Sequence, residues 1–199
     1  MNDKKQLWIL VGGNGSGKST FYRTRLEALG LPFINADNLA KELYPHAPES
    51  HSYDAAIIAA EMRMQLLEDG RSFCFETVFS HPSKIDFIAQ AKTLGYEIIL
   101  VFIHLDLVSL NQARVAQRVS EGGHNVPEEK VIKRIPRVLK LVKNALPLCD
   151  HVFILDNSRA DNPFQQLATI RKGHLDVRQN PLPKWAIEML GTYLSETKK

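Results

Sequence analysis

The chain has 199 residues, 44% hydrophobic and 24% charged, so it can build a core and disorder is excluded as its global state. Its 25 Lys and Arg against 22 Asp and Glu give a formal +3, too mild for a dedicated nucleic-acid binder but suited to a phosphate pocket. No apolar run approaches the roughly 20 residues of a membrane span, and MNDKKQLWILVGG has too short an apolar run for a secretory signal.

In chain order, LWILV at 7–11 reads as a buried strand that runs straight into glycines. Residues 19–29 predict a helix stopped by Gly30, and 32–35 a second short strand. Helical stretches follow at 38–44 and 54–70, separated by Pro45 and Pro48. SFCFE at 72–76 predicts a third strand, and 82–94 a helix closed by Gly95. The continuous apolar run at 96–105 has the character of a strand covered on both faces. Residues 107–121 and 128–146 predict helices around a break at GGHNVP, with a kink or joint at Pro136. HVFIL at 151–155 is a fifth strand. Beyond it, 164–179 reads as a hairpin turning at Lys172-Gly173-His174, and 185–194 as a closing helix.

This alternation predicts an α/β fold: a three-layer α/β/α domain with a mostly parallel, five-stranded sheet. No repeat or linker divides the chain, so one domain over 1–199 is expected. Cys74 and Cys149 lie in apolar runs without a partner motif, which predicts reduced core thiols and a cytoplasmic protein.

Gly12-Gly13-Asn14-Gly15-Ser16-Gly17-Lys18-Ser19 fits the pattern G-x-x-x-x-G-K-S/T between a strand and a helix. Glycines let successive backbone N–H groups curl around phosphates, and the helix N-terminus adds partial positive charge. Lys18 is expected to reach the β- and γ-phosphates, facing solvent until ligand binds. The Ser19 hydroxyl, next to Thr20, is the expected Mg²⁺ ligand. The motif therefore predicts ATP or GTP with Mg²⁺. The D-x-x-G and N-K-x-D strings of GTPase switch proteins do not occur, and the size suits a small-molecule kinase.

Ligands of an open α/β sheet gather at the carboxyl ends of its strands. The second strand ends in Asn35-Ala36-Asp37 and the third in Glu76-Thr77. Asp37 is the candidate general base, with a helix N-cap as its competing and compatible role. Glu76 is the candidate that holds Mg²⁺ or its water shell.

Arg114 and Arg118 share a helix face ahead of the glycine-hinged loop at 121–128, which has the composition of a lid. Arg118 and Arg134 flank it most closely and are candidates to neutralise the transferred phosphoryl group. His124, between Gly123 and Asn125, suits lid packing or a substrate hydrogen bond. No His/Cys spacing for a metal occurs.

Together, GGNGSGKST, FINADNLAKEL, SFCFETVFS, RVAQRVSEGGHNVPEEKVIKRIPR and FILDNS resemble the zeta toxin family, in its small stand-alone branch, over about residues 6–160. Residues 161–199 stand as a C-terminal extension. The resemblance implies an ATP- or GTP-dependent kinase that phosphorylates the 3′-hydroxyl of the amino sugar in UDP-N-acetylglucosamine or a related nucleotide sugar. It implies Asp37 as the base, Glu76 and Thr77 near Mg²⁺ and substrate, Arg118 and Arg134 on the phosphates, and Asp156-Asn157 beside the nucleotide base. An antitoxin protein is the candidate partner; nothing demands nucleic acid or membrane. The longer toxins carry an Asp where Asn35 stands, and many relatives differ at Val78 and Phe79. The residues leave two alternatives: a kinase for another hydroxyl, such as an antibiotic, a nucleoside or NAD, and an ATP-binding module without transfer.

Overall fold

The computed structural model describes residues 4–120 and 127–196. β1 (Gln6–Val11), β3 (Phe73–Thr77), β4 (Glu97–His104) and β5 (His151–Asp156) form the parallel centre of the sheet, with the short β2 (Phe33–Ile34) at one edge. The strand order is β2-β3-β1-β4-β5-β6-β7. β6 (Gln165–Arg171) and β7 (His174–Val177) are antiparallel, so the sheet has seven strands rather than the expected five. The hairpin read from the sequence pairs its first strand with β5, which would otherwise leave an open edge.

Parallel neighbours require crossovers, and the helices supply them. The core on one face is built from α3 (Ser52–Glu68), α4 (Ser83–Thr93), α6 (Glu128–Ala145) and α7 (Lys184–Glu196), which bring Leu67, Ile88, Val142 and Leu190 against Phe73, Phe75, Leu100 and Phe102. At about 25 cal/mol per Å² of apolar surface removed from water, such side chains contribute roughly 1.5–3 kcal/mol each. The opposite face carries Leu10, Cys74, Val101, Ile103 and Leu155 under Phe21, Tyr22 and Leu26. These three come from the short α1 (Lys18–Phe21) and the π-helical turn that continues it over Tyr22–Leu26. Cys74 and Cys149 are both buried and free.

Two local expectations need correction. α6 runs through Pro136 without a joint, because Pro136 and Ile132, whose carbonyl loses its partner, both lie on the exposed side. α2 (Ala36–Leu43) starts two residues earlier than position 38, because Asn35 caps it: Asn35 Oδ1 accepts from the N–H groups of Asp37 (2.8 Å) and Asn38 (3.2 Å).

At the end of β4, His104 is buried at 6% exposure, its ring 4.5 Å from that of Trp185 and 5.6 Å from that of Phe102. Burial drives its pKa from 6.5 down to about 4, against the opposing charge of Asp156. An imidazole that stays neutral when folded but protonates near pH 6.5 when unfolded costs stability as pH falls from 6.5 towards 4. Stability therefore rises with pH across that window. The expected contribution is about 3 kcal/mol, read from chemical denaturation at pH 4.5 and 7.5, and His104→Gln should flatten that slope.

Candidate active site

Parallel pairing aligns Leu10 with Glu76 and Val11 with Thr77, so the glycine loop leaves β1 beside the carboxyl end of β3. The loop is tied by Ser16 N–H donating to the Gly13 carbonyl (3.2 Å) and Phe21 N–H to the Gly17 carbonyl (2.9 Å). Gly15 and Gly17 have φ of 75° and 97°, and added Cβ atoms would come to 2.8 Å from the Asn111 carbonyl oxygen and 2.5 Å from Asn157 Nδ2. Only glycine fits there.

Lys18 does not face solvent as expected: its side chain is 7% exposed, and Nζ donates to the Gly13 carbonyl at 3.0 Å. Its ammonium lies 3.8 Å from Glu76 Oε1. Ser19 Oγ donates to Glu76 Oε2 at 2.8 Å, and Asn35 Nδ2 donates to the same oxygen at 2.9 Å. The loop cation, the candidate metal ligand and the cap of α2 thus converge on one carboxylate. Ser19 Oγ and Glu76 offer hard oxygen donors beside the phosphate cradle, a set that fits Mg²⁺, which keeps most of its waters and takes few protein ligands.

Two cavities open on either side of this junction. The first, of about 490 Å³, is lined by Gly15, Gly17, Lys18, Ser19, Thr20, Arg114, Asn157 and Phe164. Asn157 is buried; its Nδ2 donates to the Ser16 carbonyl (2.9 Å) and its Oδ1 accepts from Phe164 N–H (3.2 Å). Phe164 packs edge-on to Phe21, with centroids 5.3 Å apart. Asp156 is not among the residues that line this cavity, and its Oδ1 accepts from the backbone (2.9 Å) and hydroxyl (2.5 Å) of Ser158.

The second cavity, of about 210 Å³, is lined by Asn14, Lys18, Asn35, Asp37, Arg63, Glu76, Thr77, Val78 and Lys84. Asn35 does the capping, so the Asp37 carboxylate is not engaged as the cap and lies exposed at the cavity. Thr77 Oγ1 accepts from the N–H of Phe79, which holds the left-handed φ of 62° with its ring fully buried. That anchors the chain leaving β3.

α5 (Val108–Ser120) and α6 approach the loop from the outer side. Asn111 Nδ2 donates to the Asn14 carbonyl (2.7 Å), and the Arg134 guanidinium to Asn14 Oδ1 (3.2 Å). Arg114 donates to the Asn157 carbonyl at 2.9 Å. Arg118 falls on α5 one turn further, its side chain outside the described part; of the expected lid at 121–128, residues 121–126 with His124 fall outside the described residues, and Pro127 and Glu128 open α6. Sequence reasoning did not assign Arg63, Lys84, Asn111, Arg114 or Phe164 to the site. Only Arg114 carried a signal, its four-residue spacing from Arg118.

A strand, a glycine loop and a helix N-terminus with a buried lysine define a P-loop nucleotide-binding fold. Residues 7–141 match the AAA domain family, and the chain belongs to that family. An uncharacterized protein of Haemophilus influenzae is 30% identical over 135 residues, which cover 64% of this chain and 96% of that protein. Among solved structures, AvrRxo1-ORF1:-ORF2 with ATP is similar at a TM-score of 0.70 and 18% identity, covering 89% of this chain. The chain spans 61% of that AvrRxo1 chain. The PezAT chromosomal toxin-antitoxin system of Streptococcus pneumoniae is similar at a TM-score of 0.62 and 15% identity, covering 99% of this chain and 87% of its counterpart. At these identities the structural likeness is one of fold.

The division of labour between Asn35 and Asp37 can be measured. Asn35→Ala removes the cap and a donor to Glu76, and should lower stability by about 1–2 kcal/mol in urea denaturation. Asp37→Ala, which leaves the cap intact, should change it by less than about 0.5 kcal/mol.

Proposed function

We propose that the protein is a small-molecule kinase that transfers the γ-phosphoryl group of ATP or GTP to a hydroxyl group. The observation that carries this reading is the sharing of Lys18 and Glu76 by two cavities, one framed by the P-loop and the other by Asp37. A nucleotide whose phosphates lie in the P-loop brings its γ-phosphate to the common wall. An acceptor in the second cavity meets it there.

In the proposed reaction the acceptor oxygen forms a bond to the γ-phosphorus as the bond to the β-bridging oxygen breaks. Asp37 orients the hydroxyl and takes its proton. Lys18, Arg134 and Arg118 counter the charge on the phosphoryl oxygens. Ser19 and Glu76 would hold Mg²⁺, which supplies further charge neutralisation when bound. Asn157 and Phe164 border the nucleotide base.

For the acceptor, the resemblance to the zeta toxin family supports UDP-N-acetylglucosamine or a related nucleotide sugar, phosphorylated at the amino-sugar 3′-hydroxyl. The two-component names of AvrRxo1-ORF1:-ORF2 and PezAT support a partner protein of antitoxin type. Incubation with Mg²⁺, ATP and UDP-N-acetylglucosamine should give a product heavier by about 80 mass units, one phosphoryl group in place of a proton. A product of that gain from a different hydroxyl compound keeps the kinase and replaces the acceptor.

Lys18→Ala should lower turnover by at least about 10²-fold. Its side chain is buried, so the variant's thermal unfolding must be measured alongside. Asp37→Asn retains size while removing the base, and turnover should fall about 10²–10⁴-fold with nucleotide affinity within a few-fold. Near-normal turnover in Asp37→Asn would shift the base assignment to Glu76.

A further inference from the structure

Arg63 lies on α3, a helix that otherwise supplies apolar packing, yet it is buried at 8% exposure. Its guanidinium rests 5.0 Å from the ring centroid of Phe75 and 5.8 Å from that of Phe87. Cation–π contact with the rings does not use up the guanidinium N–H groups, which can still donate to another partner. Lys84, at the start of α4, is half-buried and lines the same cavity.

Neither cation forms an ion pair or hydrogen bond among the described residues. Burial lowers the pKa of Arg63 from 12.5 to about 10, and no carboxylate opposes it. The Lys84 pKa is lowered by burial and then by the Arg63 charge itself. Asp37 and Glu76 share the cavity, but Glu76 is engaged by Ser19, Asn35 and Lys18, and Asp37 is beyond ion-pair distance of either cation. Two like charges brought together out of water are costly unless an anion joins them.

We propose that Arg63 and Lys84 form a clamp for a non-reacting phosphate group of the acceptor, which makes the acceptor a hydroxyl compound that already carries a phosphate or diphosphate. The planar guanidinium grips two oxygens side by side while the ammonium meets another as a point charge, which suits a tetrahedral oxyanion. The clamp serves selection: a neutral sugar would leave both cations unpaired. As a statement about the acceptor it rests on the kinase reading above.

Binding is tested apart from transfer. With the P-loop saturated by Mg²⁺ and a non-hydrolysable ATP analogue, calorimetric titration of pyrophosphate should show one site. Arg63→Gln and Lys84→Gln should each weaken it at least tenfold. Lys84→Gln changes a half-buried side chain and guards against a folding defect in Arg63→Gln. No binding to the saturated wild type, or equal binding by both folded variants, overturns the clamp. In transfer assays, Lys84→Gln should raise the KM for UDP-N-acetylglucosamine and N-acetylglucosamine 1-phosphate at least tenfold, and leave that for N-acetylglucosamine unchanged. Equal effects on neutral and phosphorylated acceptors also overturn it. Pyrophosphate binding that depends on both residues, in a protein that transfers nothing, would uphold the anion site and reject the kinase reading.

Discussion

The site is organised around one carboxylate. Glu76 takes hydrogen bonds from Ser19 on the P-loop and Asn35 at the start of α2, with the Lys18 ammonium 3.8 Å away. Hydrogen bonds to a charged group are stronger than neutral ones, typically about 1.5–3 kcal/mol and less where water reaches them, as it does at Ser19. Three segments distant in sequence are thereby held in one arrangement before any ligand arrives. Glu76 can do this because it is the fourth residue of a five-residue strand whose first three positions are buried.

Parallel pairing explains why the convergence falls where it does. β1 and β3 run in register, so their carboxyl ends deliver the glycine loop and the Glu76-Thr77 pair to the same edge. β2 pairs with β3 through only two residues, Phe33 and Ile34, and so leaves Asn35 beside Glu76. A one-residue slip of β3 would turn Glu76 into the opposite face of the sheet. Full burial of Phe73 and Phe75 between the strands and α4 makes that slip costly.

Legibility in the sequence followed the range of each interaction. The P-loop is a contiguous string whose glycines answer to local backbone geometry, and its strand and helix flanks are equally local. The parallel centre of the sheet was readable from short apolar runs between helices. Asn35 and Asp37 are both good caps two residues apart, and the choice between them depends on where β2 ends, a tertiary matter. Arg63 gave no signal, because a single cation on an apolar helix reads as a solvated position until the rings of Phe75 and Phe87 are brought beneath it. The pairing of β6 with β5 likewise needed the open edge of the sheet, which no local pattern reports.

The outer helices meet the loop through one residue. Asn14 accepts at its carbonyl from Asn111 on α5 and at its side chain from Arg134 on α6. Asn157, at the end of β5, grips the next part of the loop at the Ser16 carbonyl and receives Arg114 on its own carbonyl. α5 thus meets the phosphate cradle directly through Asn111 and, by way of Asn157, through Arg114 nearly one turn on. Beyond Lys18 in the loop itself, Arg134 and Arg114 are cations that these contacts hold beside the cradle. The helices on either side of residues 121–126 are therefore tied to the P-loop by hydrogen bonds from Asn111 and Arg134, and through Asn157 by Arg114.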